Sequence, residues 1–433
     1  MPWREDLVPQ RMARVAVVAP ETSWRQVLIE VADAGAVEPD LADRAGPASE
    51  RDADLDRVTS ASIARDGVRA LPGWAPASVL PSLADRLAPL GGTIVELASP
   101  EGKDPPTLLA AHAGGSRLRP LVDTYAVIPY HDVDPTWFAA AAYVVMFGMM
   151  FGDIGDGALV VLAGLYLRAS HHPRLESARR VWPLVVALGL SAMVFGALYG
   201  ELFGPTVPAL WLRPLDQPTR LLAVGIGVGA GLLAVAYGLG IVNRWREGGI
   251  GLALYAPSGL AGAGLFVGLA LVAGGVFVGW TWLWALGLVV AAGAIVLVAV
   301  GLRVGAGPGA AGALQASVEL MDVVVRLGSN VVSFARLAAF GLTHAALGQV
   351  VWDATTSLWR PSPVVAGAVV VFVAGHVVAF ALEALVAGVQ ALRLEYYELF
   401  SRIFVAEGRP FRPWHVPGPS TNRSPKEESC SPG

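Results

Sequence analysis

Four ionisable residues in the last third of the chain lie inside long apolar segments. Arg336 lies within SFARLAAFGLTHAALGQVVW, residues 333–352, and His344 follows it by two helical turns; Glu383 and Arg393 lie in the next apolar segment. An arginine side chain keeps its charge in proteins, and burying it at bilayer depth costs on the order of a few kcal/mol. A fixed positive charge among groups that bind and release protons is expected of a proton or cation route.

Helical spacing places further polar residues on the same faces. In the first segment the steps between them are 7, 4, 3, 4 and 4 residues, which keeps the side chains in one narrow stripe at about 100° per residue. The members of this stripe are Asp322, Ser329, Ser333, Arg336, Phe340 and His344. In the second segment His376, Glu383 and Gln390 recur every seven residues, and Arg393 follows. Two polar stripes on neighbouring apolar helices indicate a hydrated path, which disfavours an Arg336 that merely snorkels to an interface.

An antiparallel hairpin of the two helices would bring the stripes together. The pair Arg336 and Arg393, and the pair His344 and Glu383, are each centred near the turn sequence WRPSP at residues 359–363. A turn there places the two arginines at similar depth and His344 beside Glu383. Asp322 then lies on the cytoplasmic side of Arg336.

The composition is that of a membrane protein. Of 433 residues, 54% are hydrophobic and only 15% are charged, and the mean hydropathy is +0.55; these values are extreme for a soluble chain.

The net charge of −4 gives no indication of nucleic-acid binding. The single cysteine, Cys430, lies in a polar tail and excludes a disulfide framework or a cysteine metal site. We expect no metal or cofactor, and no Gly-Lys-Ser/Thr phosphate loop occurs, so ATP would be hydrolysed elsewhere.

The fold class predicted is a polytopic α-helical membrane protein with a small N-terminal α/β domain in the cytoplasm. About eight transmembrane helices are expected, and the last two exceed the roughly 20 residues that cross a bilayer, so they should be tilted or continue into water. The predicted spans are 138–152, 157–169, 182–203, 219–242, 251–278, 281–303, 316–351 and 363–403.

The predicted domain boundaries follow the distribution of charge. Residues 1–120 form the soluble domain, 121–137 a linker, 138–405 the membrane domain and 406–433 a disordered cytoplasmic tail. In the soluble domain, MARVAVVAPETSWRQVLIEVADAGAVE predicts a strand and an amphipathic helix, and APASVLPSLADRLAPLGGTIVELA a helix and a strand. The acidic segment between them is predicted to be a solvated helix or a flexible connector.

The distribution of arginine predicts the orientation. Basic residues concentrate in the second, fourth and sixth breaks between spans and after the eighth span. By the positive-inside rule, these segments and both termini are cytoplasmic.

Several long motifs of the chain resemble the membrane subunit a, also called subunit I, of V-type and A-type rotary ATPases. They are DPTWFAAAAYVVMFGMMFGDIGDG, SAMVFGALYGELFG, NVVSFARLAAFGLTHAAL and LEALVAGVQALRLEYYELF, and the resemblance extends from about Pro120 onward. PPTLL and RMARVAVVAP resemble the soluble domain of that family more weakly. The chain departs from the family pattern at Asp156, where relatives have a histidine, and at Gln390, where some have a histidine. Its soluble region is shorter and lacks the long coiled-coil hairpin.

The resemblance implies a stator in the plasma membrane that faces a rotating proteolipid ring. Arg336 corresponds to the essential arginine of that family, and His344, Glu383 and Arg393 to its downstream histidine, last-helix acid and second arginine. The implied partners are the proteolipid c or K ring, the peripheral-stalk subunits E and G or H, the central-stalk d or C subunit and the bilayer. The translocated ion is H⁺ or Na⁺, since that choice lies largely in the ring.

Alternatives remain for several residues and for the function. His376 is more readily a packing histidine than a relay, and Asp153 and Asp156 fit turn chemistry. Glu201 is either a channel-mouth acid or an interfacial residue. A secondary ion-coupled transporter would also carry midplane charges, but no second copy of the Arg336 segment is found. A membrane scaffold would not need two polar stripes.

Overall fold

The computed structural model describes residues 8–41, 51–100, 103–109, 118–359, 365–404 and 408–416. It divides into two compact units, one of residues 1–110 with 408–433 and one of residues 111–407. The predicted turn at 359–363 lies outside the described residues except for Trp359, and so do Cys430 and the rest of 417–433.

The first unit is an antiparallel sheet covered by helices. Its elements are β1 (Met12–Pro20), α1 (Trp24–Ala34), β2 (Glu38–Pro39), α2 (Arg51–Ala61), β3 (Ile63–Arg65), β4 (Val68–Pro76), α3 (Leu80–Leu87) and β5 (Thr93–Glu96). The strand order is β2-β4-β1-β5, with β3 also paired to β4. The predicted strand–helix and helix–strand pairs are therefore present. Strand β4, which pairs with β1 over its full length, was not predicted.

The segment between these pairs is a helix with a buried face. Leu55 and Val58 of α2 are almost fully buried in the core of this unit, together with Val27 and Leu28 of α1. Burying them removes apolar surface from water at about 25 cal/mol per Å². The segment is therefore a helix, as one of the two predicted alternatives stated, but one of its faces is buried rather than solvated.

Residues 408–416 pack against this unit. The indole Nε1 of Trp414 donates to Asp54 Oδ2 at 2.9 Å, and Arg409 pairs with Glu38 at 3.1 Å. The prediction of a disordered tail from residue 406 is therefore wrong for residues 408–416.

The second unit is a helical assembly, preceded by the short α4 (Pro120–Asp123). Its helices are α5 (Thr136–Met150), α6 (Ile154–Ala169), α7 (Glu176–Arg180), α8 (Trp182–Tyr199), α9 (Pro218–Tyr255), α10 (Leu260–Val278), α11 (Thr281–Gly305), α12 (Gly309–Ser333), α13 (Ala335–Leu358), α14 (Val365–Leu394) and α15 (Ser401–Ile403). A π-helical turn, Glu395–Phe400, joins α14 to α15. Within the described residues, six helical stretches are long and apolar enough to cross a membrane: α8, α9, α10, α11, α12 with α13, and α14 with its extension.

The predicted count of eight spans is not confirmed, although all eight predicted segments are helical. The first two, α5 and α6, have only 15 and 16 residues, or about 23 Å of helix, against about 30 Å of hydrocarbon. The predicted fifth span also begins too early. Helix α9 continues to Tyr255 through non-helical Gly248 and Gly249, and α10 begins only at Leu260.

The helices that carry the predicted polar stripes pack against each other and against earlier helices. Helix α13 contacts α14, α9 and α5, whereas α10 and α11 form a hairpin of their own. Phe334 lies between α12 and α13, outside either helix and fully buried. The predicted seventh span is thus two helices in succession, and this break separates Asp322, Ser329 and Ser333 from Arg336 and His344.

Candidate functional site

The hairpin of α13 and α14 brings His344 and Glu383 together. Their positions relative to the turn at residues 359–363 predicted this contact. His344 Nδ1 is hydrogen-bonded to Glu383 Oε2, and the two side chains are only 9% and 13% exposed. The second carboxylate oxygen of Glu383 is buried and has no hydrogen-bond partner among the described residues. The pair can therefore share one proton and still offer an acceptor to water or to an ion.

Three further carboxylates surround this pair. Asp153, Asp156 and Glu201 are 2%, 4% and 4% exposed, and each is near enough to His344 to interact with it electrostatically. The ring of Phe151 packs on the imidazole, with centroids 5.2 Å apart. One imidazole near four carboxylates of low exposure is an arrangement that can bind and release a proton.

The two aspartates of this cluster have different local environments. Asp153 caps the start of α6, because its Oδ1 accepts from the backbone nitrogens of Gly155 at 2.7 Å and Asp156 at 3.0 Å. The turn chemistry expected of Asp153 is confirmed. Asp156 instead has a buried Oδ1 without a hydrogen-bond partner in the described part of the chain.

Glu201 belongs to the same cluster through the fold of the segment that follows α8. Its carbonyl oxygen accepts from Ile154 N at 3.0 Å, which fixes this segment against the start of α6. Gly196 makes the approach possible, because a Cβ there would lie 2.5 Å from Ile154 N. Glu201 is therefore buried beside the α6 terminus.

Arg336 lies in an open groove with two of the predicted serines. The groove has a volume of about 750 Å³ and is lined by Ser329, Ser333 and Arg336 together with Thr219 and Leu222 of α9. Arg336 is half-buried. Its guanidinium makes no ion pair with a carboxylate of the described residues, although Glu398 acts on it from a distance.

Arg393 lies near Arg336 in a second groove. The two guanidinium groups are close enough to repel each other electrostatically, which agrees with the predicted similar depth. The second groove measures about 650 Å³, and Arg393, Asn330 and Glu398 line it. With its amide oriented to satisfy its neighbours, Asn330 donates to Glu398 Oε2 at 2.8 Å and accepts from Arg402 Nη2 at 2.7 Å.

Two predicted pathway residues have other surroundings. Asp322 is exposed and pairs with Arg326 at 2.6 Å. His376 packs between Phe372 and Phe203, with ring centroids 4.3 and 5.3 Å away, and its Nδ1 contacts Phe372 O at 3.0 Å. His376 therefore has the packing environment that the sequence favoured.

Gln390 lies on α14 between Glu383 and Arg393. Its side chain is half-buried, and its Oε1 has no hydrogen-bond partner in the described chain.

Asn330, Glu398 and a site role for Asp156 were not predicted from the sequence. For Asp156 the available signal was a carboxylate four residues after the apolar run FGMMFG. A π-helical turn begins after α14 and shifts the helical register. The seven-residue repeat therefore no longer predicts which helix face a residue such as Glu398 occupies. No cluster of three or more His, Cys, Asp or Glu side chains that could hold a metal occurs in the ranges that the structure describes.

The family model of the V-type ATPase 116kDa subunit family matches residues 71–209. The chain is 28% identical over 401 residues to the A-type ATP synthase subunit I of Archaeoglobus fulgidus, covering 79% of this chain and 58% of that protein. It is 28% identical to the subunit I of Aeropyrum pernix over 69% of this chain and 50% of that protein. A shorter match, 37% identical over 106 residues, covers 24% of the chain and 23% of the V-type ATP synthase subunit I 2 of Treponema pallidum.

These similarities confirm the resemblance to subunit I of A-type and V-type ATPases. The chain spans about half the length of the curated relatives it matches. Together with the six apolar helical stretches, they indicate a membrane protein related to subunits of rotary ATP synthases.

Proposed function

We propose that this chain is the membrane stator subunit of a rotary ATPase and carries the ion route past a rotating proteolipid ring. The observation that carries this proposal is the unpaired Arg336. It is half-buried on an apolar helix, lines an open groove, and has no carboxylate ion-pair partner in the described chain. A charge in that position requires compensation, because an uncompensated guanidinium in hydrocarbon costs several kcal/mol. A carboxylate presented by another subunit would supply it.

The mechanism follows from electrostatics. A ring carboxylate that approaches Arg336 is stabilised in its charged form, so it arrives at Arg336 deprotonated. One half-channel would load this carboxylate and the other would unload it. The fixed charges of Arg336 and Arg393 would repel a hydronium ion that tried to pass directly between the half-channels.

The cluster around His344 and Glu383 is the proposed half-channel on the side away from the cytoplasm. Its buried oxygens on Glu383 and Asp156 have no hydrogen-bond partner within the described ranges, and such groups are normally satisfied by water or an ion. The opposite half-channel would run along the groove of Ser329 and Ser333. Gln390 remains a candidate pathway residue. Asp322, which is exposed and paired, and His376, which packs between phenylalanines, are weaker candidates.

The proposed orientation places both termini and the first unit in the cytoplasm of a plasma-membrane complex. It rests on the basic segments within α9, at the end of α11 and in α15, where Arg244, Arg303 and Arg402 lie. The proposed partners are the proteolipid ring, peripheral-stalk subunits and a central-stalk subunit. The transported ion is H⁺ or Na⁺.

The alternative function, a secondary ion-coupled transporter, would work without a ring. In that case a carboxylate of the same chain should compensate the midplane arginine. No described carboxylate pairs with Arg336, and this favours the ring.

Cysteine cross-linking in native membranes tests the proposal. Ala339→Cys, in the Arg336 groove, is expected to form a disulfide with a cysteine on a small proteolipid, one helical turn from its carboxylate. Val289→Cys is the control, because Val289 is 70% exposed on α11 and lies outside that groove. Cross-linking of both positions to the same degree, or of neither, would contradict the proposal.

A further inference from the structure

A separate cavity lies at the end of the helical unit where α9, α11 and α15 terminate. It has a volume of about 780 Å³, and two arginines, Arg244 and Arg402, line it. Most of the remaining wall is apolar and includes Leu252, Val300 and Val304. None of these residues belongs to the proposed ion route.

Arg244 has hydrogen-bonding capacity that the described chain does not use. Its side chain is 7% exposed, and its Nη1 pairs with Glu247 at 2.5 Å. Its Nε and Nη2 are buried and have no acceptor among the described residues. These two nitrogens form one edge of the guanidinium fork, which matches two oxygens of a phosphate or carboxylate.

The surroundings add positive charge and polar groups. Arg402 is 7% exposed, and its Nη2 lies 2.7 Å from the Asn330 side-chain oxygen. Ser258 lines the same cavity, shortly before the N-terminus of the 19-residue helix α10, whose dipole also favours an anion. Of the neighbouring acids, Glu247 is already paired with Arg244.

Asp132, the other acid near Arg244, is fully buried. Burial and the neighbouring Glu247 raise the pKa of Asp132 to about 7. Near neutral pH a substantial fraction of this carboxyl is therefore uncharged, which limits its opposition to a bound anion.

The position of the cavity along the helices gives the level in the membrane. Arg244 follows the long apolar run of α9, and Val300 and Val304 lie near the end of α11. Val300 is 44% and Val304 80% exposed. Buried cationic donors thus adjoin exposed apolar side chains at the end of the spans, where the headgroups of a bilayer meet the acyl chains.

We propose that this cavity binds an anionic phospholipid. Its phosphate pairs with the guanidinium groups of Arg244 and Arg402, which line the cavity, and an acyl chain lies along Val300 and Val304. The proposal needs the chain to be in a membrane and is independent of the ion route.

Native mass spectrometry of the full chain in detergent tests it, with phosphatidylglycerol and phosphatidylcholine of the same acyl chains as probes. Phosphatidylglycerol is expected to bind more tightly. Arg244→Gln is expected to weaken it roughly tenfold, the loss expected of one charge-assisted pair. Arg303→Gln is the matched control, because Arg303 is an exposed arginine at the same end of the helices and does not line this cavity; it should bind like the unmodified chain.

Two further variants separate binding from folding. Arg244→Gln leaves the half-buried Glu247 without its arginine partner, so the double variant Arg244→Gln with Glu247→Gln removes that charge and should fold but still lose binding. Glu247→Gln alone frees Arg244 and should bind phosphatidylglycerol at least as tightly as the unmodified chain. Equal binding of both lipids, or full binding by the double variant, would overturn the proposal. Displacement of the lipid by equimolar inorganic phosphate would show a free-anion site instead and would also overturn it.

Discussion

At the scale of single residues, the contrast between Arg336 and its neighbour Arg326 is informative. Arg326 is exposed and pairs with Asp322 one helical turn away, so its charge is compensated locally. Arg336 lies ten residues further on and has no such partner in the described chain. The two arginines share a helical stretch, and only Arg336 requires, under the proposed function, a partner from another subunit.

Arg336→Gln or Arg336→Ala should abolish coupled ion transport while the chain still inserts and assembles, because no contact within the described chain depends on an ion pair of Arg336. Arg336→Lys should largely fail as well, since a buried ammonium is a compact charge that can lose its proton. ATP-driven acidification of proteoliposomes that contain the whole complex measures this. Arg326→Gln is the control and should retain transport; full acidification by the Arg336 variants would refute the assigned role.

Glu383→Gln should reduce transport strongly and His344→Ala moderately, because water can partly replace the imidazole but an amide cannot carry a proton. The effects of the two variants should be non-additive, since the side chains are in direct contact. Transport rates of both single variants and the double variant measure this. His376→Ala is the matched control, because that histidine packs among phenylalanines; a larger loss there than at His344 would exclude the assignment.

The stability of the second unit should depend on the protonation of Asp132. Its pKa is raised to about 7 by burial and by Glu247, against an ordinary value of about 3.9 in an unfolded chain. The folded state therefore binds the proton more tightly, and the stabilisation is lost as pH rises through about 7.

Thermal unfolding in detergent at pH 5 and pH 8 tests this dependence. Asp132→Asn should reduce the loss of stability between these values, whereas the exposed Asp216→Asn should not. An unchanged difference between the two pH values in Asp132→Asn would contradict the linkage.

The sequence predicted the contact between His344 and Glu383 because helical periodicity and one turn position determine which side chains meet in a hairpin. It did not predict Glu398 or Asn330. Glu398 lies in a π-helical turn, which changes the register by an amount that an ideal helix does not contain, and Asn330 lies off the polar stripe on α12.

At the scale of elements, small residues determine how closely α6 and α8 approach. A Cβ at Gly189 would lie 2.7 Å from both Gly157 O and Val161 N, and one at Gly157 would lie 2.8 Å from Gly189 O. These are backbone atoms, so side-chain rotation cannot relieve the overlap. Close helix packing through glycine is common in membranes, and here it holds the helix that begins at Asp153.

Gly189→Ala should therefore destabilise the second unit by about 1–3 kcal/mol, the usual effect of overpacking. Gly227→Ala on α9 is the control, because nothing lies within 4 Å of its Cβ position; alanine there should be neutral or stabilise the helix. Thermal unfolding of the purified chain compares the two. Equal stability of both variants would show that α6 and α8 are not constrained by this contact.

The membrane helices were easier to predict than the sheet. Long apolar runs identify helices regardless of tertiary contacts, and the errors lie in helix ends, as at Tyr255 and Leu260, in the break at Phe334 and in the number of spans. Strand β4 contains two prolines and a glycine in VRALPGWAP and depends on its pairing with β1. Local sequence therefore gave no clear strand signal.

At the scale of the whole molecule, the first unit is built from two distant parts of the sequence. Residues 408–416 return to the domain of β1 to β5, where Trp414 is 8% exposed and its backbone nitrogen donates to Val37 O at 2.9 Å. Removing only the N-terminal part would leave Trp414 without its packing partners. A truncation that tests this unit must therefore remove both parts.

Deletion of residues 1–110 together with 408–433 should leave the helical unit inserted but uncouple ATP hydrolysis from ion transport, because a stator without its soluble anchor cannot resist torque. The complex with the truncated chain is assayed for ATPase activity and ion pumping together. Trp414→Ala in the intact chain is the companion variant; it should loosen the first unit by about 3–5 kcal/mol and lower the coupling ratio less than the deletion does. An unchanged ratio of ions pumped per ATP in the deletion would show that the first unit is not the anchor of the stator.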